Sequence, residues 1–135
     1  MPFTGNFTCN SFKSGLIDGD FDFDTDTFKI ALYTNSASLN AETDAYTATG
    51  EVSGSGYTAG GNTLTVSKGI TGGTAFITFA DTSWSAAITA RGALIYKDGG
   101  ATVCVLDFGS DKTSTTTFSV DFPAASSTDA LIRLS

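Results

Sequence analysis

The sequence predicts an all-β fold: an antiparallel β-sandwich, jelly-roll or immunoglobulin-like, with one short N-terminal helix. Three observations carry that prediction. Apolar residues recur with a period of two along much of the chain, as strands with one buried face require. Turn residues punctuate these runs, with 15 Gly among 135 residues and an Asp-Gly-Gly at 98–100. The composition is 41% hydrophobic and 12% aromatic but only 16% charged, which suits a pleated, half-buried surface and excludes intrinsic disorder.

The elements follow in chain order. Asn10 is placed to cap a short helix, Phe12 and Leu16 lie four apart on one face with Ile17 beside them, and Gly19 ends it. "TFKIALYT" is a strand with Phe28, Ile30 and Leu32 on one face and Lys29, Ala31 and Tyr33 on the other. Residues 35–50 have no period and read as a long surface connection. "NTLTVSKG" sets Leu64 and Val66 against Thr63, Thr65 and Ser67, and "TAFITFA" and Trp84 follow. In "AITARGALIYK" the alternation puts Ile88, Ala90, Gly92, Leu94 and Tyr96 on one face. Asp98-Gly99 is a hairpin signal because a tight turn needs positive φ, and "ATVCVLDF" returns antiparallel. "GSDKTST" reads as a wide loop into "TTFSVDF", Pro123 ends that strand, and "DALIRLS" is the last strand. The length fits a single domain over 1–135, with no repeat or linker.

Charge and residue inventory narrow the function. A net charge of −7 repels phosphate, so neither nucleic acid nor an anionic membrane is an expected partner. The N-terminus lacks the basic and apolar regions of a secretory signal, and no apolar run approaches the roughly 20 residues of a membrane span. His is absent, which removes the commonest general base, and neither cysteine has the His partner that would lower a thiolate pKa. No carboxylate pair is singled out for glycoside hydrolysis. No catalytic, cofactor or metal residue is assigned, and a non-enzyme is expected. Cys104 reads as a small buried hydrophobe; nothing in the spacing supports a Cys9–Cys104 disulfide.

Two stretches invite a site. Asp18, Asp20, Asp22, Asp24 and Asp26 alternate. In an extended chain they share one side at about 6.5–7 Å spacing, with Phe21 and Phe23 opposite. That spacing is too wide for all five to ligate one Ca²⁺. The EF-hand pattern also fails, because Thr25 and Ala31 occupy the Gly and Glu positions when counted from Asp20. A charged, solvated edge strand that resists aggregation is the first reading. Contact with a basic partner surface and weak Ca²⁺ binding in a curled loop are the others. "GSGYTAGGN" (54–62) lacks the following helix of a phosphate-binding loop and reads as a turned loop. Trp84 with Tyr33, Tyr46, Tyr57 and Tyr96 offers a sugar-stacking alternative, since Tyr33, Tyr46 and Tyr57 are expected off the core face or in loops. The residues assigned to partner contact are Asp18, Asp20, Asp22, Tyr46 and Tyr57, within the acidic stretch 18–26 and the loops 35–62.

Three segments, "DTDTFKIALYT" (24–34), "TGEVSGSGYTAGGNTLT" (49–65) and "ITARGALIYKDGGATVCVLDFGSDKTST" (88–115), together resemble a family of small virion structural proteins of tailed bacteriophages. The similarity runs from "SFKSGLIDGD" to the closing strand. It implies a non-enzymatic component of the particle, made in the host cytoplasm and located in the virion. A capsid-decorating (cement) protein docking between capsid subunits is the expected role, a homo-oligomer whose partners are the major capsid protein or other virion proteins. A tail or baseplate component, facing the host, is the alternative. A free carbohydrate-binding module is a more distant one.

Overall fold

The computed structural model describes residues 3–135; residues 1 and 2 of the expected 1–135 domain lie outside the described residues. The chain is mostly β, with several antiparallel sheets and one short helix, in a sandwich-like arrangement. In order the elements are β1 (Phe7–Thr8), α1 (Asn10–Asp18), β2 (Phe28–Tyr33), β3 (Asn62–Leu64), β4 (Val66–Thr71), β5 (Thr74–Phe79), β6 (Thr82–Trp84), β7 (Thr89–Lys97), β8 (Thr102–Thr113), β9 (Phe118–Val120) and β10 (Ile132–Leu134). A five-stranded sheet runs β1-β8-β7-β2-β3, a three-stranded sheet β10-β5-β4, and a two-stranded sheet β6-β9.

The five-stranded sheet is buried on both faces. On one face Phe28, Ile30, Leu32, Ala93, Ile95 and Leu64 meet Phe79, Trp84, Phe118 and Val120 from the smaller sheets, with Phe12 of α1. On the other, Ala31, Tyr33, Leu94, Tyr96 and Val105 form a second cluster with Phe3, Cys9, Ala37 and Leu39. Each fully buried large side chain here contributes about 1.5–3 kcal/mol relative to exposure. The alternation of β2 is therefore real, but Ala31 and Tyr33 are as buried as Phe28 and Ile30. The 35–50 connection is not wholly a surface one, because Ala37 and Leu39 cover this second cluster.

Four further expectations are corrected. Cys9, in extended backbone, occupies the cap position of α1 and Asn10 is its first residue, while Gly19 ends it in the left-handed conformation as read. Ile17 does not join Phe12 and Leu16 on a buried face; it is 89% exposed. In β7 the period slips: between Ala90 and Gly92 the partner on β8 jumps from Lys112 to Asp107. Ile88 and Ala90 thus share the main core with Ala93 and Ile95, and Leu94 and Tyr96 face the second cluster. Finally, β8 continues through Thr113, where the sequence predicts a loop. At the β7–β8 turn only Gly99 takes positive φ (+74°), with Gly100 N–H donating to the Lys97 carbonyl at 2.9 Å. Asp98 keeps negative φ, so the turn is not one with two left-handed central residues.

Both cysteines are free and buried. Burial pushes both thiols up, and the neighbouring Cys9 adds to the effect on Cys104. Among the described residues no helix is long and apolar enough to cross a membrane.

Candidate functional site

The aspartate stretch is not an extended strand. After Gly19 the chain curls: the Asp26 N–H donates to the Asp22 carbonyl (2.9 Å), the Asp22 N–H to Asp26 Oδ2 (2.8 Å), and the Asp24 N–H to Asp22 Oδ1 (2.9 Å). Aspartate side chains capture nearby backbone N–H groups readily, which is why this residue favours turns over strands. The N–H from Asp24, with help from Thr25, holds the Asp22 carboxyl below its usual range.

Beneath this turn lies an aromatic cushion. Phe23 stacks on Phe28 with centroids 4.5 Å apart and planes 5° from parallel, and Phe12 meets Phe21 at 5.0 Å. Phe28 is fully buried in β2, so the acidic turn is fixed to the central sheet. The inward role read for Phe21 and Phe23 holds, since both pack against the main core.

The structure divides the five aspartates. Asp24 pairs with Lys68 at 2.9 Å, and Asp26 with Lys97 at 3.2 Å; the Lys97 ammonium also donates to the Asp20 carbonyl at 2.6 Å. Asp18, Asp20 and Asp22 are exposed and make no salt bridge among the described residues. They follow directly on Ile17. They form an exposed acidic surface beside one bare aliphatic side chain, with Lys68 near enough to Asp22 to act on it electrostatically. Among the described residues no group of three or more His, Cys, Asp or Glu side chains is placed to hold a metal ion.

The tyrosines are arranged differently from the sequence reading. Tyr57 is buried: its hydroxyl donates to Glu51 Oε2 (2.7 Å) and accepts the Leu32 N–H (2.9 Å). It offers a partner no surface, which corrects its assignment as a contact residue. Tyr46 is half-buried, donates to Glu51 Oε1 (2.5 Å) and leans on Tyr96 at 5.1 Å. Tyr33 is fully buried, and Trp84 packs inside near Tyr57 and Phe118. The five aromatics form no exposed platform.

Glu51, to which the sequence reading gave no role, organises this region. It accepts from Tyr46, Tyr57 and the Gly60 N–H (2.8 Å), tying the 46–60 loop to β2. Burial first, and then the Glu51 carboxylate, push the phenol of Tyr46 up to about 12 and that of Tyr57 higher still. The spacing of one acid between two tyrosines was the available signal, but no period marks it.

Comparison with protein-family models, with curated proteins and with solved structures finds no match to this chain.

Proposed function

We propose that this chain is a non-enzymatic structural protein of a tailed-bacteriophage particle, docking as a decoration (cement) protein between subunits of the major capsid protein. The reading starts from the three segments that resemble such virion proteins. The observation that carries it is the acidic stretch: Asp18, Asp20 and Asp22 without cation partners, beside Ile17 at 89% exposure. The Phe12–Phe21–Phe23–Phe28 stack holds that surface in place, so little ordering cost remains on binding. A modest contact repeated over a symmetric lattice gains strength by multivalency. Complementary charge selects the partner surface and speeds encounter.

Quantitative mass spectrometry of purified virions tests the location. Hundreds of copies in fixed ratio to the capsid lattice fit decoration. About a dozen would move the protein to the tail or baseplate, and none would remove the virion reading. Binding of the Asp18→Asn/Asp20→Asn/Asp22→Asn variant to emptied particles tests the surface, and unchanged binding would eliminate it.

A further inference from the structure

A pocket of about 430 Å³ opens where the residue 45–46 segment, the 59–60 loop and the 98–100 turn converge at the end of β2 and β7; Lys29, Tyr46, Gly60, Tyr96, Asp98 and Gly99 line it. That volume is within the range of small-molecule sites.

Its walls are held before any ligand arrives. The Tyr96 hydroxyl donates to the Gly60 carbonyl at 2.6 Å, Glu51 fixes both the Tyr46 hydroxyl and the Gly60 N–H, and an Ala45–Ala101 bridge joins the outer segments. Lys29 is the unusual member. Of the seven basic side chains, Lys68, Lys97 and Arg91 have carboxylate partners. Of the remaining four, Lys13, Lys112 and Arg133 are exposed, and Lys29 alone is half-buried. It makes no salt bridge among the described residues, and its Nζ reaches the Gly60 backbone, 3.7 Å from where a Cβ on that residue would sit. Its stem is half-buried while its ammonium lines the pocket, so a ligand supplying acceptors can meet that ammonium directly.

We propose that this pocket binds one neutral hexose unit of a glycan, stacked on Tyr46, with hydroxyls shared between the Lys29 ammonium and the Asp98 carboxylate. The ammonium donates only and the carboxylate accepts only; a ring carrying adjacent hydroxyls satisfies both. An acidic sugar fits less well, because Asp98 already lines the pocket with a carboxylate and the chain carries a net charge of −7. A purely apolar ligand would leave Lys29 unsatisfied. The proposal stands apart from capsid docking, which uses the 17–22 surface.

The test is amide NMR of the full chain titrated with the methyl glycosides of glucose, galactose, mannose and N-acetylglucosamine, with glucuronate alongside. Saturable shifts from one of the neutral sugars, confined to residues 29, 45–46, 59–61, 96 and 98–101, are expected in the millimolar range. Lys29→Met should weaken that binding about tenfold, Tyr46→Ala should abolish it, and Tyr46→Phe, which keeps the ring and loses only the Glu51 bond, should retain it. Absence of saturable shifts from all four neutral sugars overturns the proposal. So do shifts that survive Tyr46→Ala, and tighter binding of glucuronate overturns the neutral class. The virion copy number moves with none of these outcomes, so failure here and failure of the docking reading are separable.

Discussion

The Tyr57 hydroxyl stands between Glu51 and the backbone of β2, donating to Glu51 Oε2 at 2.7 Å and accepting the Leu32 N–H at 2.9 Å. β3 pairs with β2 only from Phe28 to Ile30; at Leu32 the Val52 N–H bonds the carbonyl, while the Tyr57 side chain takes the place of a strand acceptor for the N–H. Tyr57→Phe removes that acceptor and leaves a buried N–H unsatisfied, a loss of about 1–3 kcal/mol. Urea unfolding measures it; a change below about 0.5 kcal/mol would mean that the N–H finds another partner.

The phenols bear on alkaline stability. All four tyrosines are raised above their ordinary range, chiefly by burial, Tyr46 and Tyr96 to about 12 and Tyr33 and Tyr57 further. An unfolded chain loses these protons near pH 10, whereas the folded one keeps them. Stability is thus intact below about pH 10 and falls as pH rises toward 12. Tyrosinate absorbance should appear together with the loss of native circular dichroism. Phenols ionising near pH 10 in a still-native protein would contradict this.

Gly61 has φ +79°, and a Cβ there would lie 1.7 Å from the Ile30 carbonyl oxygen. The loop crosses β2 at backbone contact. Gly61→Ala is expected to cost more than about 3 kcal/mol, adding a clash to left-handed strain, and to reduce soluble yield. A variant within about 1 kcal/mol of wild type would show that the loop lifts away easily.

Arg91 occupies the slip in β7. Its guanidinium pairs with Asp107 through Nη2 at 3.0 Å and Nε at 3.1 Å, and lies 5.7 Å from the Phe3 ring centroid. Both side chains are only 11% exposed. Asp107→Leu strands the cation and should destabilise by about 3 kcal/mol, while adding Arg91→Met should recover most of it. A double-mutant cycle in urea decides; simple additivity would mean that the pair is not coupled.

Ile17→Ser separates docking from folding. At 89% exposure the change should move stability by less than about 0.5 kcal/mol. Affinity for emptied particles should fall about tenfold if Ile17 anchors the acidic surface. Equal affinity would place the contact elsewhere.

The sandwich-like class was legible because β2, β5, β7 and β8 keep their alternation over most of their length. The inward roles of Phe12, Phe21, Phe23 and Phe28 were also legible, since aromatic residues have few other places to go. What escaped lies where period two stops informing. The Asp18–Asp26 alternation imitates a strand, but Asp22 and Asp26 capture backbone N–H groups and curl it. In β7 one residue, Arg91, shifts the parity of all that follow, and no local signal announces the shift. Ala37 and Leu39 are buried by a connection without periodicity. At the candidate surface the alternation makes the five aspartates look equal; Lys68 and Lys97, distant in sequence, pair with Asp24 and Asp26 and set the other three apart.

The pairing of Phe7 with Val105 has a consequence for biosynthesis. The first strand has no partner until β8 has left the ribosome, and β2 likewise waits for β7. A nascent chain halted before β8 exposes Phe3, Cys9 and the outer face of β2 together, a sticky surface with no seal. Folding is therefore dominated by distant pairings, slow by the standard of local topologies. A gene product truncated near residue 100 should aggregate, with no half-sized domain to rescue it.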